Sequence, residues 1–135
     1  VSRVLAPPDP EAWRRRAAWF WRAHDINAGP LAPPPRPRTD ALIAELEAVF
    51  CAGAWAATVI LAWALCEIIQ REIIQREAAA ASRDETPAAD YDWLRERRNL
   101  LIHGTDDLPD DAVLQAWAEG AVRVAFRALF EGAAR

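Results

Sequence analysis

The chain has 135 residues, more than half of them hydrophobic, with only five glycines; this excludes a disordered chain and fits one domain with a single core. A net charge of −4 argues against a generic nucleic-acid coat. Alanine and leucine dominate and strand-type alternation is absent, so the expected fold class is all-α, a helical bundle.

The charge is unevenly spread. All 16 basic residues are arginine, and residues 1–38 carry seven of them against Asp9, Glu11 and Asp25. The remainder carries nine arginines against 17 acids. A basic, aromatic front end on an acidic body points to an anionic partner or, more ordinarily, to an amphipathic helix docked on that body.

Val1 to Pro10 reads as an extended, proline-rich lead. A first helix is expected from Glu11 to about Asp25, with Trp13, Ala17, Phe20 and Trp21 on its apolar face and Arg14, Arg15 and Arg22 opposite. His24 continues the apolar face and reads as a packed histidine rather than a catalyst. Trp19 falls off the stripe, where it covers a neighbouring element or stacks on a base. Asn27 to Pro37 is a stiff Pro-rich connector. Residues 1–38 thus form a basic, aromatic helix plus connector, separate from the helical domain of residues 39–135.

Thr39 or Asp40 is the expected N-cap of the second helix, whose stripe is Leu42, Ile43, Leu46, Val49 and Phe50. Ala48 to Cys66 runs 19 residues without a formal charge, so a membrane span has to be weighed. Gly53 breaks the run, and what remains is shorter than the roughly 20 residues a bilayer core demands. A helix buried on all sides and no membrane are expected instead. Cys51 and Cys66 form no CxxC pair and read as buried, reduced thiols. No secretory leader is evident, and a cytoplasmic location is expected.

The third helix continues through Glu67-Ile68-Ile69-Gln70-Arg71 into an immediate copy, Glu72 to Arg76. A five-residue repeat turns each copy about 140° further round a helix, so Ile68, Ile69, Ile73 and Ile74 cannot all face one core. A second chain covering the surplus is the favoured explanation. Ala78 to Ala89 is expected to be a loop, and the fourth helix to begin at Asp90 or Asp92 and end at Gly104 as a left-handed cap. Asp110 and Asp111 favour the start of a last helix, with Val113, Leu114, Trp117, Ala121, Val124, Leu129 and Phe130 inside and Gly120 as a close-packing point.

The chemistry is concentrated in Arg95-Glu96-Arg97-Arg98-Asn99-Leu100-Leu101-Ile102-His103-Gly104. Arginine offers a permanent charge and a planar fork matched to phosphate oxygens; histidine gives or takes a proton near neutral pH. On an ideal helix Arg98 and His103 stand about 140° apart, whereas Asn99 and His103 share a row with Glu96 and Asp92. Either the helix unwinds and lets His103 swing toward Arg98, or the rows of two chains face each other across a two-fold axis. Glu96 and Asp92 repel phosphate unless they pair with Arg95 or Arg98. The plain alternative is an ion-paired Arg98 and a His103 that caps the helix end. No metal-ligand spacing and no Gly-rich phosphate loop are present, so no cofactor is expected.

Arg98-x4-His103, with Asn99 after the arginine and Gly104 after the histidine, resembles the R-x4-6-H signature of HEPN domains. A long apolar helix upstream and a further helix downstream match the family's setting, and the resemblance covers roughly Thr39 to Ala134. It implies a bundle of about four to five helices that dimerises and builds a composite site between subunits. It further implies a metal-independent endoribonuclease of a toxin–antitoxin or defence system, with RNA as substrate and a cognate antitoxin as a possible partner. Arg98 then stabilises the phosphorane, His103 acts as general base or acid, and Asn99 orients His103 or holds a phosphate oxygen, with Arg95 and Glu96 lining the site. The alternative from another class is a non-catalytic HEPN-like module that dimerises and binds a protein or nucleotide.

Overall fold

In the computed structural model, which describes residues 7–30, 36–80, 88–104 and 107–133, side chains that reach free first-turn amides start the first and last helices. There are five helices: α1 (Pro10–Ala28), α2 (Pro37–Cys51), α3 (Trp55–Ala80), α4 (Ala88–His103) and α5 (Asp111–Ala133). No strand occurs among the described residues. The all-α expectation holds.

Asp9 starts α1 by accepting a hydrogen bond from the Ala12 amide at 2.8 Å, with Pro10 following it in the first turn. That bond holds the Asp9 carboxyl below its ordinary pKa. Asp110 starts α5 in the same way, its carboxylate accepting from the Val113 amide at 3.0 Å. The second helix starts earlier than expected. Pro37 occupies its first turn and Arg36 the cap position, while the Asp40 carboxylate reaches back to the Arg36 amide at 3.3 Å. Neither Thr39 nor Asp40 is the cap: a proline pre-set for helical φ outcompetes them. Thr39 is buried inside the first turn and its hydroxyl has no partner among the described residues.

Gly53 does break the long apolar run. Its φ of 75° is left-handed, its amide donates to the Phe50 carbonyl and the Ala54 amide to the Val49 carbonyl, closing α2 with paired back-bonds. The chain then reverses into α3.

The most extensive pairing is α3 against α5; α2 lies on α3, α1 lies across α5 and α2, and α4 sits at the edge against α3 and α5. Phe20, Leu46, Phe50, Leu65, Ile69, Leu94 and Phe126 form the core. Helix α1 shares that core: Phe20 meets Phe126 edge-on with ring centroids 5.1 Å apart. Its inner stripe, however, is Ala12, Phe20 and Ala23, while Trp13 and Trp21 are each about two-fifths exposed. Trp19, expected off the stripe, stacks on Phe50 at 5.0 Å. The position of α1 across two helices rotates its buried face by about one residue. His24 is packed as expected, edge-on to both Phe126 and Phe130.

Three further expectations are corrected. Helix α3 is not buried on all sides, because Ala57 and Ile60 are exposed on the side that α2, α4 and α5 leave open. Within the tandem Ile69 is fully buried, Ile68 and Ile73 are half-buried and Ile74 is 63% exposed, as the rotation between copies requires. The expected loop after the tandem is helical as far as Ala80, and α4 begins at Ala88; residues 81–87 of that expected loop lie outside the described residues. Gly104 is not left-handed. It is needed for space instead: a Cβ there would collide with the Leu100 carbonyl oxygen. Gly120 is the close approach expected of it, since a Cβ would stand 2.5 Å from the Trp93 ring. Among the described residues no helix is long and apolar enough to cross a membrane.

Candidate functional site on helix four

Helix α4 runs unbroken through His103, so unwinding does not bring His103 to Arg98. The inner side of the helix is Leu94, fully buried, with Tyr91, Trp93 and Leu101 half-buried against the core. The row Asp92, Glu96, Asn99 and His103 is exposed along its whole length, as the helical spacing predicts. Asn99 and His103 make no hydrogen bond to any described residue, so His103 does not cap its own helix.

The acids on this row are only partly neutralised. Arg95 pairs with Asp92 at 2.6 Å, one turn back, with both side chains more than half exposed. Such a pair contributes about 0–1 kcal/mol at a surface. Glu96 has no ion pair among the described residues.

Arg98 points elsewhere. Its guanidinium lies over the Trp63 ring of α3, 5.2 Å from the centroid. The Arg98 Nε and the Trp63 indole N–H are both buried with no acceptor among the described residues. Arg98 has no carboxylate partner among the described residues, and Glu96 in particular does not pair with it. A buried N–H without an acceptor is uncommon in folded proteins, and Arg97 Nε is another among the described residues.

Sequence reasoning missed Arg97. Its guanidinium lies 4.0 Å from the Trp93 centroid and 5.5 Å from that of Trp117 on α5, and it donates to the Trp93 carbonyl at 3.0 Å. The Trp93-x3-Arg97 spacing, one helical turn, was the available signal. Consecutive arginines therefore fasten α4 to two different neighbours, Arg97 to α5 and Arg98 to α3. Cation–π contacts of this kind contribute about 0.5–2 kcal/mol each, depending on how dry they are.

Other chemistry is scarce. Burial pushes the Cys66 thiol up to about 12 and the Cys51 thiol to about 11, so neither supplies a thiolate nucleophile near neutral pH. Among the described residues no three His, Cys, Asp or Glu side chains are placed to hold a metal ion. What the chain offers on α4 is a free imidazole, a free amide and a stacked guanidinium facing a different side. Comparison with protein-family models, with curated proteins and with solved structures finds no match.

Proposed function

We propose that the chain is a metal-independent endoribonuclease of a toxin–antitoxin or defence system, acting as a homodimer paired through the outer face of α4. The observation that carries this reading is the free end of α4. Asn99 and His103 stand there without hydrogen-bond partners among the described residues, interleaved with Leu100 and Ile102, which are 58% and 49% exposed. Apolar side chains at such exposure on a helix end favour a covering surface, and a two-fold mate supplies one with the same residues. The resemblance of the Arg98–His103 string to HEPN domains points the same way.

In the dimer the His103 of one chain approaches the side on which the other presents Arg98. His103 takes the proton of a ribose 2′-OH, the 2′-oxygen attacks phosphorus, and the 5′-oxygen leaves with a proton returned by the same imidazolium or supplied by water. The products are a 2′,3′-cyclic phosphate and a 5′-hydroxyl. Arg98 neutralises the charge that gathers on the phosphorane oxygens. DNA, without a 2′-OH, is not cut.

The test is labelled RNA incubated in EDTA with wild type and with His103→Ala. Cleavage by wild type alone is expected; cleavage by both or by neither removes His103 from the mechanism. One observation favours a second reading, a dimerising or binding module without catalysis: Arg98 already has a structural task against Trp63. Under that reading sedimentation still gives a dimer while RNA stays intact.

A further inference from the structure

Away from α4, a cleft of about 280 Å³ opens between α1 and α5. Its wall on the α1 side is Trp19, Ala23 and Ile26, and three arginines, Arg22 of α1 with Arg123 and Arg127 of α5, stand around it. We propose that this cleft binds a small aliphatic monocarboxylate of roughly ten heavy atoms, a number set by comparing the cleft with the ~30 Å³ share of a liquid water. The nuclease reading neither requires this site nor depends on it.

Charge and shape choose the ligand. Arg127 is tied to Asp90 at 3.3 Å. Arg22 and Arg123 have no carboxylate partner among the described residues, although the chain as a whole carries −4. Two uncompensated guanidinium groups beside an apolar wall fit an anion with a hydrocarbon body. A nucleobase fits poorly. Trp19 stacks on Phe50 with centroids 5.0 Å apart, and the Arg123 guanidinium lies over the ring, also at 5.0 Å. Two groups that close cannot share one face, so neither face of the indole is left for a base to stack on. An alkyl chain needs no face: it lies against the indole edge, Ala23 and Ile26. Ile26 is 77% exposed, a costly placement for a large apolar side chain that a hydrocarbon chain laid over it would relieve.

Titration calorimetry with octanoate tests the assignment, with octanol as the neutral analogue and inorganic phosphate as the bare anion. Saturable one-to-one octanoate binding is expected, with octanol at least about tenfold weaker and phosphate undetectable, because both the charge and the chain are recognised. Arg22→Gln with Arg123→Gln is expected to weaken octanoate about tenfold. Ile26→Glu puts a carboxylate into the cleft at an exposed position that the fold does not use, and is expected to abolish binding with the circular dichroism unchanged. Equal affinity for octanol, undiminished binding by Ile26→Glu, or the absence of saturable octanoate binding would each overturn the proposal.

Discussion

Mixing chains that carry Arg98→Ala with chains that carry His103→Ala is expected to restore RNA cleavage that neither possesses alone. Five residues along the unbroken α4 advance about 7.5 Å and leave the two side chains about 140° apart around the axis. Arg98 is held toward Trp63 of α3 and His103 stands in solvent, so one chain does not present both groups to one phosphate. Each variant alone should lose about 10²–10³ in rate, the usual cost of one transition-state donor or one proton-transfer group. In an equal mixture allowed to exchange subunits, about half the dimers are mixed, and each of those has one site with both groups intact and one with neither. About a quarter of wild-type activity should therefore return, far above either parent. The assay is labelled RNA in EDTA on a denaturing gel, with subunit exchange checked by sedimentation of differently tagged chains. A mixture that exchanges subunits yet cleaves no faster than its parents refutes the shared site.

Other expectations concern the scaffold. Gly53→Ala forces a left-handed residue at a cost of about 1–2 kcal/mol, and its Cβ falls 3.1 Å from the Arg16 Nη1, which donates to the Cys51 carbonyl. Urea melts should show a loss of at least about that size; a smaller loss would show that the Arg16 contact is slack. Tyr91 has a buried hydroxyl without a partner, so Tyr91→Phe should be neutral or stabilising by up to about 1 kcal/mol. A clear loss in the same melts would mean that the hydroxyl is satisfied. For Cys66, burial raises the folded thiol to about 12 from an ordinary 9.0, so the folded chain binds that proton more tightly than the unfolded one. Its contribution to stability is complete below pH 9.0 and is lost as the pH climbs toward 12. Accordingly, a thiol reagent at pH 8 should modify Cys66 only at the rate of unfolding, and prompt modification of the native chain would contradict its burial.

The bundle was legible because helical periodicity, caps and breaks are local. Gly53 stood inside an apolar run with no other break, and Asp110 preceded an apolar stripe; both act where they stand. The errors came where a neighbour decides. On α1 the sequence offers two overlapping apolar stripes, and only packing across α5 and α2 selects the one through Phe20 and Ala23 and brings Trp19 onto Phe50. On α3 the same apolar excess that suggested full burial leaves Ile60 in solvent, because a peripheral α4 does not close that side. Gly104 shows a subtler gap: glycine was expected for its backbone freedom and is needed for room beneath the Leu100 carbonyl.

For the site, a motif fixes spacing along the chain but not the aim of a long side chain. Helical geometry alone placed Asn99 and His103 on one exposed row, because that follows from their separation of four residues. Nothing in the string Arg97-Arg98 said that the first would lie between Trp93 and Trp117 and the second on Trp63. Stacking of Arg98 is compatible with catalysis as well as with clamping. A guanidinium fixed on an indole has already lost its rotamer freedom, so its charge is pre-aimed and little reorganisation remains when a phosphorane forms. A clamp alone, however, does not account for a buried Arg98 Nε and an exposed His103 that both lack a hydrogen-bond partner among the described residues. Those open valences, on the helix least enclosed by its own chain, are what a second copy and a ribose-phosphate backbone would fill.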